Sequence, residues 1–344
     1  MKAGAYTAII TPFDGDGVDE KGLDRLVEFQ IQNGITGVLA VGTTGESPAL
    51  TWTEHNRVVE SVAKRTRGRC LCVAGTGSNN TREALQATEH AMKAGVQAVL
   101  LVDPYYNGPS SLEIRREYIG PIAEAYPSLE VIPYVIPGRT GTQLLPEDLA
   151  LLSAAHPNVQ TVKEATGNLD NMRRTRRCCG PGFTILSGDD GVTFDMMTDA
   201  DIGAAGVISV IANIVPGAVA QMVEHLRSGD EAAAQKLHRD LSPLYGLVTV
   251  NTTESTPHGE VVCRARNPLA IKSLMAIFGM PSGPCRRPLG KMTRSGIDVV
   301  LRAARTVHQS NPDLFAPAEV FFGFRVEERL ETPANWSALF YGNY

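Results

Sequence analysis

The stretch Gly37-Val38-Leu39-Ala40-Val41-Gly42-Thr43-Thr44-Gly45-Glu46-Ser47, with the amphipathic segment 53–64 behind it, decides how the chain is read. Residues 37–41 are apolar throughout, as a parallel strand covered on both faces must be. The turn that follows has glycines on either side of two hydroxyl residues, so the backbone can bend sharply there and aim its amides at an anion. The segment after it has the spacing of a helix. Strand, turn and helix together make one βα unit.

The same unit recurs in both directions along the chain. Apolar, β-branched runs occupy 6–10, 37–41, 70–74, 98–102, 131–134, 159–163, 184–186 and 206–210, with amphipathic segments such as 21–32, 53–64 and 81–93 between them. Gly34 and Gly95 stand just past the ends of two of these segments, where helices stop. Eight βα periods predict a closed (β/α)₈ TIM barrel over 1–218 rather than an open doubly wound sheet. The first βα turn has no G-x-G-x-x-G, and Gly75-Thr76-Gly77 is a lone G-x-G with no Walker lysine, so nothing asks for a dinucleotide. After Val219 the strand signals stop. Residues 219–227, 230–249 and 268–278 read as helices around a polar stretch, 251–266, and 296–308 as a further helix, giving a C-terminal helical region over 219–308. The tail 309–344 carries Phe315, Phe321, Phe322, Phe324, Trp336, Phe340, Tyr341 and Tyr344, and is expected to pack on the barrel or on a neighbouring subunit.

Composition narrows the function classes. The 344 residues are 43% hydrophobic and 20% charged, with a formal net charge of −5, which gives no reason to expect nucleic acid or an anionic membrane as partner. The basic run 173–177 reads as a solvated helix face, and no apolar stretch is long enough to span a bilayer. An apparent strand begins almost at Met1, leaving no room for a targeting peptide and pointing to the cytoplasm. Six cysteines are too sparse for a disulfide framework and are expected to be free and mostly buried, and the seven histidines form no metal set.

In a barrel of this kind the chemistry lies at the C-terminal ends of the strands. Those ends supply Thr43 and Thr44 after the second run, Tyr105 and Tyr106 after the fourth, Tyr134 and Arg139 at the fifth, and Lys163 closing the sixth. Lys163 is one of only eight lysines, and it ends a buried strand rather than riding a helix surface. A free lysine is neutral in about 1 part in 2,500 at pH 7, whereas burial lowers its pKa and yields an amine able to attack a ketone. Tyr134 can carry a proton, and Arg139 can hold a carboxylate bidentately.

Taken together, Gly42-Thr43-Thr44-Gly45-Glu46, Tyr105-Tyr106-Asn107, Arg139-Thr140-Gly141, Lys163-Glu164-Ala165-Thr166-Gly167-Asn168, Ser187-Gly188-Asp189-Asp190 and Gly206-Val207-Ile208-Ser209-Val210 resemble, in order and spacing, the dihydrodipicolinate synthase family of the N-acetylneuraminate lyase superfamily. The resemblance runs from about residue 3 to about 300. It implies a class I aldolase-type lyase that condenses pyruvate with L-aspartate-4-semialdehyde, the entry step to diaminopimelate and lysine. No cofactor is implied beyond a covalent pyruvate imine on Lys163. On this resemblance Tyr134 relays a proton through Thr44 to Tyr106 of a neighbouring subunit, and the amides of Thr43 and Thr44 hold the pyruvate carboxylate. Gly188 and Ile208 line the pocket near the imine, and Arg139 takes the carboxylate of the aldehyde. The assembly it implies is a homo-oligomer, a dimer of dimers.

The retained Arg139 favours the synthase over sialic acid lyases, which generally lack it. The other readings are a pyruvate-dependent aldolase or dehydratase acting on a 2-keto-3-deoxy sugar acid or a hydroxyproline-derived keto acid, and a non-catalytic paralogue that binds a 2-oxo acid. Trp52, His55, Asn79, Glu83 and Tyr105 match the family's lysine feedback site. Three departures stand out: Val135 in place of the family's Asn, Pro133 before the tyrosine, and Gly138 in place of Ser. They are expected to alter polarity and flexibility around the second substrate. The stretch around 252–266 and the tail after about 309 lie outside the resemblance.

Overall fold

The structure is a computed structural model and describes residues 1–342; Tyr344, counted above among the tail aromatics, lies outside them. Eight parallel strands close into a barrel: β1 (Gly4–Ala8), β2 (Gly37–Ala40), β3 (Leu71–Gly75), β4 (Ala98–Val102), β5 (Glu130–Val135), β6 (Thr161–Glu164), β7 (Thr184–Ser187) and β8 (Gly206–Ser209). The seam is the β1–β8 pair, which opens on Gly4 opposite Gly206. Both glycines have positive φ, and a Cβ on Gly206 would come within 1.9 Å of the Gly4 carbonyl oxygen, so the barrel closes there only without side chains.

Each strand feeds a helix: α1 (Glu20–Gln32), α2 (Trp52–Thr66), α3 (Thr81–Ala94), α4 (Gly120–Ala125, entered through a π-wound turn Ile114–Ile119), α5 (Pro146–Ala155), α6 (Leu169–Cys179), α7 (Thr193–Thr198) and α8 (Pro216–Ser228). Side-chain caps start several of them. Asp19 caps α1, Thr51 and Glu54 form a capping box on α2, and Asn80 and Asn168 cap α3 and α6. Alternation along the strands divides the interior in two. Tyr6, Leu39, Val73, Leu100, Ile132, Tyr134, Leu186 and Ile208 fill the barrel, while a larger apolar layer lies between strands and helices. The boundary expected at 218 falls inside α8, which packs on β1 and β8 and completes the eighth unit.

The C-terminal region departs from an all-helical reading. Helix α9 (Glu231–Tyr245) ends before Thr249, and the polar stretch forms an antiparallel hairpin, β9 (Thr249–Thr256) with β10 (Gly259–Arg266), paired from Thr249–Arg266 to Thr256–Gly259. The cause is visible in composition. Threonines and Val250, Val261 and Val262 suit a pleated surface through their branched Cβ, although few of these residues are apolar enough to register as a buried run. A short ladder between Phe13–Asp14 and Gly17–Val18 was also not legible in the sequence. Helices α10 (Leu269–Phe278), α11 (Arg294–Ser310), α12 (Ala316–Phe322) and α13 (Val326–Glu331) complete the chain.

The aromatic tail packs on its own chain. Phe315 is fully buried with its ring 5.2 Å from Phe278, Phe324 stacks on the same ring at 5.2 Å, and Phe321 and Phe322 sit 5.3 and 5.1 Å from Phe29 of α1. The basic run 173–177 lies on α6, where Arg173 pairs with Asp170 and Asp199, Arg174 pairs with Glu147, and Arg176 donates to backbone carbonyls. All six cysteines are free. Only Cys72 is fully buried and Cys178 is exposed, so the thiols are less buried than their sequence context implies. No helix among the described residues is long and apolar enough to cross a membrane.

Candidate active site

Strands β5 and β6 pair so that Tyr134 stands directly opposite Lys163, both at the C-terminal ends of their strands and both 5% exposed or less. The lysine nitrogen lies 4.1 Å from the centroid of the Tyr134 ring. Space for the lysine side chain comes from Gly188 after β7, where a Cβ would meet Cε of Lys163 at 3.1 Å and the Ala165 methyl at 2.8 Å. Alternation sends the neighbouring Val135 outward into the apolar layer beneath the helices. The expected change in polarity at the second-substrate site therefore does not arise from that position.

Burial drives the lysine pKa down to about 7, against a counter-pull from the carboxylate of Asp190 and a smaller push from Arg139. Near pH 7 roughly half the amine is then unprotonated, against a few parts in ten thousand for a free lysine. Asp190, likewise buried, accepts from the amides of Val210 at 2.9 Å and Ile211 at 3.3 Å, and desolvation lifts its pKa to about 6. Burial pushes the Tyr134 phenol up to about 12, so it holds its proton at neutral pH and can donate it.

The two threonines of the turn after β2 meet different surroundings. Thr43 and Tyr134 line the same cavity. The Thr44 hydroxyl, 2% exposed, accepts from the Asn267 side chain at 2.9 Å, and a hydroxyl that accepts still has a proton to donate. The turn is tightly held. Val41 and Glu46 both have positive φ, which costs side-chain-bearing residues energy and must be secured by surroundings. Glu46, buried, accepts from Lys272 Nζ at 2.8 Å and from the Arg286 amide at 2.8 Å. Lys272 also donates to the carbonyls of Thr11 and Pro284, so helix α10 pins the turn from behind. The helix that follows is capped not by this turn but by Thr51.

A cavity of about 460 Å³ opens beside these groups. Its lining includes Thr43, Tyr134 and the half-buried Arg139, which sits on the helical turn Pro137–Thr140 after β5. The five residues expected at a regulatory site line the same cavity. His55 is buried against the Gly75 carbonyl at 2.9 Å and packs edge-on to Trp52, with ring centroids 5.0 Å apart. Glu83 accepts from Ser78 Oγ at 2.6 Å. Asn79 uses its carbonyl to hold the amides of Tyr105 and Tyr106, at 2.7 and 3.1 Å. Lys163, Gly188 and Ile208 do not line the cavity; Ile208 belongs to the barrel interior with Tyr134. Tyr106 is 85% exposed and stays outside it.

The family model of the dihydrodipicolinate synthetase family matches residues 1–306, nine-tenths of the chain. The chain belongs to this family. A 4-hydroxy-tetrahydrodipicolinate synthase of Syntrophus aciditrophicus is 40% identical over 302 residues, spanning 88% of this chain and 97% of its own length. That of Geotalea daltonii is 41% identical over 293 residues, spanning 85% and 94%. Among solved structures, the synthase of the methanotroph Methylacidiphilum fumariolicum SolV superposes with a TM-score of 0.83 at 33% identity, covering 94% of this chain and all of that one. The family member from Cyanidioschyzon merolae, solved with lysine bound, gives 0.80 at 33% identity, covering 89% and 99%.

Three groups were missed in the sequence. Asp190 lay within a quoted motif, and a second acidic residue directly after Asp189 was its only signal. Asn267 and Lys272 had none, because their partners Thr44 and Glu46 are 223 and 226 positions away.

Proposed function

We propose that this dihydrodipicolinate synthetase family member is a Schiff-base lyase that condenses pyruvate with L-aspartate-4-semialdehyde to 4-hydroxy-tetrahydrodipicolinate. The observation that carries the reading is Lys163: buried, held near a neutral pKa and facing a protonated phenol. Its nitrogen attacks the pyruvate ketone, Tyr134 protonates the departing hydroxyl, and water leaves to give the imine. The imine draws electrons from the adjacent methyl, which loses a proton to become an enamine carbon. That carbon attacks the aldehyde, whose oxygen takes up a proton. The amino group of the condensed product then displaces Lys163 from the imine carbon, closing the ring and regenerating the free amine. The imine is itself the electron sink, so no cofactor is required.

Amides of the Thr43–Thr44 turn hold the pyruvate carboxylate, and Arg139 holds the carboxylate of the semialdehyde. Tyr106 acts from a neighbouring subunit in a dimer of dimers; its exposure in a single chain fits that placement. Lysine binds Trp52, His55, Asn79, Glu83 and Tyr105 and slows turnover, in keeping with the lysine-bound family structure. The reaction takes place in the cytoplasm.

Borohydride reduction in the presence of pyruvate should add the mass of the reduced adduct to the Lys163 peptide. L-Aspartate-4-semialdehyde should be turned over faster than aldehydes derived from 2-keto-3-deoxy sugar acids. An adduct absent from Lys163 overturns the mechanism, and faster turnover of the sugar-derived aldehydes overturns the substrate.

A further inference from the structure

The hairpin β9–β10 lies outside the family motifs, yet its last residue reaches the active-site mouth. Arg266 lines the same cavity as Tyr134 and Arg139. The contact between hairpin and barrel is reciprocal. Arg266 Nη2 donates to the Gly138 carbonyl at 3.1 Å, while Arg139 Nη2 donates to the Asn267 carbonyl at 3.4 Å. Each arginine thus grips the backbone beside the other, and the two guanidinium groups share one rim.

Two cations held this way repel each other. Burial disfavours the charged form of Arg139 most, Tyr134 opposes this, and the charges of Arg266 and Arg264 add smaller pushes in the same direction as burial. Among the described residues neither Arg139 nor Arg266 is ion-paired to a carboxylate, whereas Arg115, Arg173, Arg174 and Arg286 all are. A backbone tie uses one of the five N–H donors of Arg266, leaving most of its fork free. Fixing the turn would need only a neutral donor. Two unneutralised guanidinium groups at the lip of a cavity are suited to an anion with paired oxygens.

We propose that Arg266 is a specificity-determining residue that forms, with Arg139, a two-armed clamp for the carboxylate of the aldehyde substrate. The clamp rests on the functional reading above and extends it: the hairpin selects aldehydes that carry a carboxylate over neutral ones.

The test separates the clamp from that reading. Lys163 is first capped by borohydride reduction of its pyruvate imine, and succinate, as a carboxylate probe, is titrated into the capped enzyme by calorimetry. Wild type should bind. Arg266→Gln and Arg139→Gln should each weaken binding about tenfold or more, the loss expected for one charge-assisted hydrogen bond. Arg266→Lys, which keeps the charge without the fork, should fall between. In steady state, Arg266→Gln should raise the ratio of KM for the semialdehyde to KM for pyruvate at least tenfold, whereas a merely loosened fold would move both together. Equal succinate affinity in Arg266→Gln and wild type, no binding to capped wild type, or an unchanged KM ratio overturns the clamp. Succinate binding that depends on both arginines, in an enzyme that does not turn over L-aspartate-4-semialdehyde, leaves the clamp standing and removes that substrate.

Discussion

Lys163 and Tyr134 are cross-strand neighbours on β6 and β5, with the lysine nitrogen 4.1 Å from the centre of the tyrosine ring. The pair joins a nucleophile whose proton is easily lost to an acid whose proton is firmly held, and one cause, burial, moves both pKa values in those directions.

The rate of pyruvate-dependent borohydride trapping should rise with pH around a midpoint of about 7, with no second rise near the ordinary lysine value. Asp190→Asn removes the carboxylate that favours the ammonium, so the midpoint should move lower. A midpoint above 9 in wild type would show that the amine is not desolvated.

The same shift has a stability sign. The folded lysine pKa of about 7 lies below the ordinary lysine value of 10.5, so the unfolded chain binds more protons between them. The penalty for the buried amine is fully present below about pH 7 and fades as pH rises toward 10.5. Lys163→Met should raise Tm at pH 6 and leave it nearly unchanged at pH 10.5, read by calorimetric scans in matched buffers.

Thr43 and Thr44 should separate by phenotype. Thr43→Val removes a hydroxyl that only lines the cavity and should have the smaller effect on kcat. Thr44→Val removes the expected relay and should lower kcat by about 10²-fold, at the lower end of what a positioned proton carrier contributes, and it leaves the Asn267 amide unpaired in a buried site, costing about 1–3 kcal/mol of stability. Chemical denaturation and steady-state rates measure the two, and a larger kcat loss at Thr43 would move the relay to that residue.

Gly188→Ala places a methyl 3.1 Å from Lys163 Cε and 2.8 Å from the Ala165 side chain. Pyruvate trapping should slow by about tenfold or more, the size of effect expected when a reacting group is misplaced. Trapping at the wild-type rate would show that the lysine reaches pyruvate by another path.

Lys272→Met breaks a buried pair and strands the Glu46 carboxylate, which should cost about 3–5 kcal/mol. Because Glu46 holds a positive-φ position beside the Thr43–Thr44 turn, KM for pyruvate should rise as well. A loss of stability with unchanged pyruvate KM would assign the pair to the fold alone.

The sequence by itself determined the barrel, its eight strands and the lysine at the end of the sixth. Those follow from local periodicity and from the oddity of a lysine closing an apolar run, which needs no knowledge of distant residues. Its strand ends also gave Tyr134 and Arg139, and its family motifs gave Gly188. Tertiary structure alone decided what the Thr44 hydroxyl meets and how the turn is held, because side-chain direction within a bent turn is set by what packs behind it, here Asn267, Lys272 and Arg286 from the far end of the chain. It decided that Val135 faces the helices, through the phase of β5 against the barrel axis. The hairpin, too, became legible only in three dimensions: threonine-rich strands are polar in composition, and their pairing brings Arg266 to a rim formed more than a hundred residues earlier.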